Sequence, residues 1–154
     1  MHISIEIPIQ AYLKKYVLRN TKDDFLEVSV GTNNHTTDYI HTILSTNYVE
    51  ADDRRKRDPY SETLRLMVPW HFAREGKFYF SHKHVIRIHR FIKSTMSEKI
   101  FDVLDEICEN RGDIKKNMAK QLDKYGITET DFPLQTALKD YYRYRKKKGM
   151  ENLL

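Results

Sequence analysis

The residues best suited to chemistry lie near the C-terminal end of the sequence, in the segment Lys139–Lys148. This segment sets lysines and arginines beside three tyrosines, and the preceding apolar spacing predicts a helix. Lysine acts toward phosphate mainly as a point charge, whereas the planar arginine fork can also pair with a guanine edge. The segment therefore indicates contact with a polyanion. The candidate contacts are Lys139, Tyr142, Arg143, Arg145, Lys146 and Lys147.

A second basic helix is predicted just before this segment. Apolar residues spaced three and four apart predict a helix over residues 114–125, with lysines on its outer face. From Arg111 to Gly149, eleven Lys or Arg stand against five Asp or Glu, a net of +6 in a chain whose total is +5. A solvated tail that merely complements the helix dipole is the alternative, but such a tail needs no second basic face. The supporting candidate contacts are Lys115, Lys116 and Lys120.

These two helices and the turn between them resemble the helix-turn-helix regions of small DNA-binding proteins, including those carried by prophages and mobile elements. The resemblance covers about residues 100–148, with Gly126-Ile127-Thr128 as the turn. It implies that the last helix enters a major groove while Lys115 and Lys116 track the backbone, as in transcription regulators. Because the connection from Gly126 to Asp131 exceeds the usual three or four residues, a looser tri-helical module is the other interpretation.

The elements predicted along the chain indicate an α+β fold. Residues 1–80 are expected to form a small α/β lobe, and residues 81–154 a long helix followed by a tri-helical, helix-turn-helix-like region. In the lobe, Pro8 is expected to end the first strand because it cannot donate a backbone hydrogen bond. The predicted strands are 3–7, 25–30, 63–70 and 77–80, the last two paired as a hairpin, and the predicted helices are 9–19 and 36–46.

Several expectations concern the ends of the C-terminal helices. Ser81 is expected to cap the long helix, and Arg111-Gly112 to end it, with a possible break over residues 93–97. Asp113 is expected to cap the next helix, and Gly126 to close it in the left-handed conformation. The last helix is expected to begin near Thr128 or Asp131 with Pro133 in its first turn.

The long helix supports an alternative function. Its apolar stripe runs from Val85 to Ile107 and is the strongest periodic signal in the chain. Such a stripe can serve as a self-association surface, which would make the protein an interaction or assembly module and a homodimer.

Signatures of catalysis are missing from the sequence. It has no Walker loop, no Gly-x-Ser-x-Gly and no His-Glu-x-x-His. His82 and His84 lie about 200° apart on a helix and cannot share a metal. A small metal-dependent nuclease remains an alternative through the acids Asp52, Asp53 and Asp58, which are more simply explained as loop acids beside the basic run 54–57.

The expected function is therefore that of a nucleic-acid-binding regulatory or accessory protein and not an enzyme. DNA is the expected partner, with RNA as the second candidate, and no cofactor, metal, membrane or small-molecule substrate is expected. A single cysteine, Cys108, excludes an intrachain disulfide and is expected to be a packed thiol. No apolar run reaches the ~18 residues of a membrane span, so a cytoplasmic location is expected.

Overall fold

The computed structural model describes residues 2–29, 34–45, 60, 62–75, 80–108 and 110–149. It confirms the α+β class, with a three-stranded sheet toward the N-terminus and several helices that include one long helix. The chain divides into two compact units, residues 1–92 and 93–154, and the division falls inside the long helix. Within the described ranges, no helix combines the length and the apolar character needed to cross a membrane.

The sheet of the first unit has the strand order β1-β3-β2. β1 (His2–Ile9) runs antiparallel to β3 (Glu62–Pro69), and β2 (Phe25–Glu27) runs parallel to it. Alternate side chains of β3 point to one face and form the centre of the core. These side chains, as predicted, are Leu64, Leu66 and Val68, all fully buried.

Among the described residues of this unit, helices α1 (Ala11–Leu18), α2 (His35–Ser45) and α3 (Trp70–Arg74) also precede the long helix. The first two were predicted from their apolar spacing and are confirmed, apart from small shifts of their ends. α2 begins where the side chain of Asn34 accepts hydrogen bonds from the backbone N–H groups of Thr36 and Thr37, at 3.0 and 3.3 Å.

One expectation for the sheet is wrong. Pro8 does not end β1 but continues it, opposite Thr63. β1 is an edge strand, where a missing N–H can face away from the ladder. The first strand of the predicted hairpin is present as β3, which has β1 and β2 as its neighbours and leads directly into α3. Residues 77–79 of that hairpin lie outside the described residues, as do the acids and the basic run of residues 50–59.

The long helix, α4 (His82–Ile107), continues without a break through residues 93–97. Ser81 caps it as predicted, because its Oγ accepts a hydrogen bond from the backbone N–H of His84 at 3.2 Å. The backbone N–H of Ser81 in turn donates to Nδ1 of His84 at 3.2 Å. His84 therefore belongs to the helix cap.

The buried positions of α4 depart from the predicted stripe near its end. The stripe is buried from Val85 to Ile100, but Ile107 is 47% exposed and Leu104 and Cys108 are buried instead. From Ile88 onward these positions recur at every fourth residue, which advances about 40° around the helix at each step. The buried side therefore turns around α4, and a straight stripe misplaces its last member.

Helix α5 (Arg111–Lys124) is capped by Asn110, whose side chain accepts from the backbone N–H of Asp113 at 3.1 Å. The prediction that Asp113 is the cap is wrong. Asp113 lies in the first turn, where a carboxylate is favoured by the positive end of the helix dipole. Residues 111 and 112 begin α5 and do not end α4.

The end of α5 follows the prediction. Gly126 has a φ of 69°, in the left-handed region that favours glycine. Its N–H donates to the carbonyl of Asp123 at 2.9 Å, and the N–H of Ile127 donates to that of Leu122 at 3.0 Å. This hydrogen-bond pair is a Schellman motif, and Ile127 folds back into the core as expected.

Helix α6 (Leu134–Lys147) begins later than predicted, with Pro133 as its N-cap residue and not in its first turn. Thr128 and Asp131 instead close a separate turn: each backbone N–H donates to the other's side-chain oxygen, at 3.2 and 3.3 Å. The connection between α5 and α6 thus runs over residues 125–133. It is longer than the three- or four-residue turn of a standard helix-turn-helix.

Candidate nucleic-acid interface

Helix α6 has a buried side and a basic side. A helix turns about 100° per residue, so Lys139, Arg143 and Lys147 form one stripe, with Lys146 beside it. All four side chains are exposed. We refer to these four residues as the α6 basic face. The residues buried on the opposite side are Ala137, Leu138, Tyr141 and Arg145.

Helix α5 carries a second set of exposed lysines. Lys116, Lys120 and Lys124 recur every fourth residue and form a row opposite the buried stripe of that helix. We refer to them as the α5 lysine row. Lys115 is also exposed but points about 100° away from Lys116, so the predicted supporting contacts do not all share one side. α5 and α6 pack against each other within the second unit.

Arg145 does not belong to the basic face. Its side chain is only 10% exposed, and its Nη1 lies 3.1 Å from Oδ1 of Asp105 on α4. The reason is its position on the helix, because Arg145 lies four residues after the buried Tyr141 and about 200° from Arg143. The expectation that Arg145 is a principal contact for phosphate is therefore corrected, since an acid inside the fold neutralises its charge.

Asp105, Tyr141 and Arg145 form a hydrogen-bonded cluster between α4 and α6. The hydroxyl of Tyr141 donates to Oδ1 of Asp105 at 2.5 Å, and Nη1 of Arg145 donates to the same oxygen. Nη1 also lies 3.0 Å from the Tyr141 hydroxyl oxygen, which accepts from it. In the cluster, the cation that this side of α6 buries has an acid as its partner. It also fixes the rotation of α6 about its axis, which turns the basic face outward.

The cluster predicts that stability depends on pH in the alkaline range. Burial, reinforced by the hydrogen bond to Asp105, raises the pKa of Tyr141 from 10.0 to about 12. The unfolded chain therefore loses this proton first, and the free energy of unfolding falls as the pH rises from about 10 to 12. We expect a loss on the order of 1 kcal/mol, because solvent at the edge of the cluster screens part of the effect.

The measurement is urea unfolding of the wild type and of Tyr141→Phe at several pH values from 9 to 12. Tyr141→Phe has no phenol to titrate at this position, so its stability should fall less steeply over this range. Parallel curves for the two proteins would contradict a raised pKa at Tyr141.

Asp140 is the acid at the margin of the basic face. Its carboxylate lies 3.6 Å from Nζ of Lys93 and 3.9 Å from Nη1 of Arg143. The side chain of Arg143 is 80% exposed, and an ion pair of that kind contributes about 0 to 1 kcal/mol. Asp140 therefore does not prevent the Arg143 guanidinium from turning toward an anion.

The tyrosines of α6 have different environments. Tyr142 is half-buried, with its ring centroid 6.0 Å from that of Tyr141. The hydroxyl of Tyr144 donates to Oδ1 of Asp102 at 3.2 Å, and Lys148 covers its ring at 4.4 Å from the centroid. Tyr142, the one tyrosine predicted as a contact, thus lies at the edge of the basic face. Tyr144 instead helps to attach α6 to α4.

A cavity of about 650 Å³ lies along the basic side of α6. Among the described residues that line it, cations outnumber acids by three to one. The lining residues are Asp140, Arg143, Tyr144, Lys146 and Lys147.

The other residues considered for chemistry have structural environments. Cys108 is buried, and both burial and nearby acids raise the pKa of its thiol, which makes it a packed thiol as predicted. Across the described ranges, no group of three or more His, Cys, Asp or Glu could hold a metal ion. The acids of the nuclease alternative, Asp52, Asp53 and Asp58, lie outside those ranges.

Sequence reasoning missed the acids of α4 that hold α6. Asp102 and Asp105 are three positions apart and directly follow Phe101 and Leu104, both buried. Acids this close to a buried stripe of a helix require a partner, and that requirement was the available signal. Lys124 is missing from the predicted contacts, although it continues the four-residue spacing of Lys116 and Lys120.

No protein-family model, no curated protein and no solved structure matches this chain.

Proposed function

We propose that this protein binds nucleic acid, with duplex DNA as the first ligand and RNA as the second, in a regulatory or accessory role. The observation that carries the proposal is the orientation of α6. One side is anchored by apolar contacts and by the Arg145–Asp105 pair, so the four cations of the basic face point outward together. An ordered array of this kind can meet several phosphates without first losing much conformational entropy.

The composition of the basic face favours phosphate over base edges. It contains three lysines, which act as point charges, and one arginine fork, that of Arg143. With Arg145 buried, a single guanidinium remains on this face for bidentate contact with a guanine. Most of the affinity would then come from counterion release and would depend little on sequence. The α5 lysine row adds three more charges of the same kind.

The apolar stripe of α4 is less available for self-association than the sequence suggests. The stripe is buried within the chain from Val85 to Ile100, and of its predicted members Ile107 is the one left largely exposed. A dimer interface needs a continuous apolar area, which a single isoleucine does not supply. This burial favours nucleic-acid binding over the assembly alternative.

The test is a binding titration of duplex DNA, single-stranded DNA and RNA over a range of salt concentrations. The basic face and the lysine row together predict a slope of log K against log salt between about −4 and −6 for duplex DNA. Absence of binding to all three ligands at low salt would overturn the proposal.

A further inference from the structure

Trp70 is an exposed aromatic residue in the first unit, at the start of α3. It is distant in sequence from α5 and α6. It is the only tryptophan of the chain, and 47% of its surface is exposed. Among the described residues, the other large apolar side chain left exposed is Ile107. The aromatic residues near Trp70 in sequence behave differently, since Phe72 and Phe80 are buried. An indole left in solvent while its neighbours form the core is available for a ligand.

Helix α3 sets a cation beside this indole. Trp70 and Arg74 are four residues apart, which places both on one side of the helix, and both are exposed. Phe72 lies about 200° away and is buried, with its ring 4.9 Å from that of His41. The exposed His71 also packs on Phe72, at 4.2 Å between ring centroids. Phe72 thus anchors α3 with Trp70 and Arg74 facing outward.

We propose that Trp70 and Arg74 form a contact for single-stranded nucleic acid. The indole stacks on one unpaired base, and the guanidinium meets an adjacent phosphate. Bases in a duplex are already stacked on each other, so an exposed indole reaches a base face only where the strand is unpaired. The positive charge of Arg74 favours a polyanion as the ligand. This inference rests on the proposed function only in taking nucleic acid as the ligand, because it uses no residue of α5 or α6.

Trp70 itself reports on the contact, since its emission is the only tryptophan signal. The full chain is titrated with a labelled oligothymidylate and with a labelled abasic oligomer of equal length, which keeps the phosphates but has no bases. Emission and label polarisation are read in the same samples. We expect quenching with oligothymidylate and little change with the abasic oligomer. Trp70→Leu should weaken oligothymidylate binding by about 5- to 100-fold and leave abasic binding unchanged.

The controls separate stacking from charge and from loss of fold. Trp70→Phe keeps an aromatic face and should retain most of the affinity, whereas Ile107→Ala, at an equally exposed apolar position, should change nothing. Equal quenching by both oligomers, or by polyglutamate, would overturn the inference. Equal affinities for oligothymidylate and the abasic oligomer, measured by polarisation, would overturn it as well. The proposed function would be unaffected by that result. If quenching and affinity are both unchanged when the α6 basic face is neutralised, the assignment of the interface to α6 fails and this inference stands.

Discussion

Replacing Arg145 with alanine is expected to lower the free energy of unfolding by about 3 kcal/mol, although the sequence suggests an exposed residue of a basic tail. The substitution leaves Asp105, which is 19% exposed, without its cation, and a carboxylate in such a site is costly when unpaired. It also removes the donor that Arg145 supplies to the Tyr141 hydroxyl. Thermal or urea unfolding, monitored by circular dichroism, measures the loss.

The matched control is Arg143→Ala, two residues earlier in the same helix. Its side chain is 80% exposed and makes one ion pair at 3.9 Å, so its stability should stay within about 0.5 kcal/mol of the wild type. Ligand binding should show the opposite order. Arg143→Ala should weaken it more than Arg145→Ala does, because Arg143 lies on the basic face and Arg145 does not. Equal destabilisation by the two substitutions would contradict the assignment of Arg145 to the interior.

A second variant distinguishes the loss of a partner from the loss of volume. In Arg145→Met with Asp105→Leu and Tyr141→Phe, both charges and the hydroxyl that bonds to them are removed together and replaced by apolar groups. Such exchanges of a buried pair are often neutral or stabilising, and the hydroxyl is removed as well because it would otherwise be buried without a partner. We expect this triple variant to recover most of the stability lost in Arg145→Ala, whereas a further loss would show that the charges themselves hold α6.

The helices were largely predictable because each has a local signal. Apolar residues at every third and fourth position marked α1, α2, α4 and α5, and the left-handed Gly126 marked the end of α5. The sheet was not predictable to the same extent. Its order depends on long-range pairing, in which β3 has β1 and β2 as its neighbours. No local pattern encodes that pairing.

The candidate site was predictable in composition but not in which of its charges are free. The helical phase alone places Arg145 with Leu138 and Tyr141, since the spacings of three and four residues continue through it. Its charge, however, predicts exposure, because an arginine is rarely buried without a partner. The sequence prediction followed the charge and not the helical position. The partner is Asp105, which comes from another helix and is distant in sequence. Tertiary pairing therefore decides the burial of Arg145, which the sequence places on the exposed side.

Neutralising the α6 basic face is expected to have the largest effect on binding. The variant changes Lys139, Arg143, Lys146 and Lys147 to Gln. Each cation bound to duplex DNA contributes about 0.9 to the slope of log K against log salt, so the slope should become less steep by about 3 to 4. At about 0.1 M salt the affinity should fall by on the order of 1,000-fold. Stability should change little, because all four side chains are exposed.

A charge-matched variant shows whether affinity depends on the α6 basic face or on the net charge of the chain. Four cations of the first unit, all exposed, are changed to Gln to give the same change in charge. At about 0.1 M salt the Debye length is about 10 Å, so a cation contributes mainly where it contacts a phosphate, and with α6 as the interface we expect less than a tenfold loss of affinity. Equal losses in the two variants would mean that the chain attracts polyanions through its total charge, and α6 would then have no special role. The four control positions are Lys15, Lys22, Lys83 and Arg87.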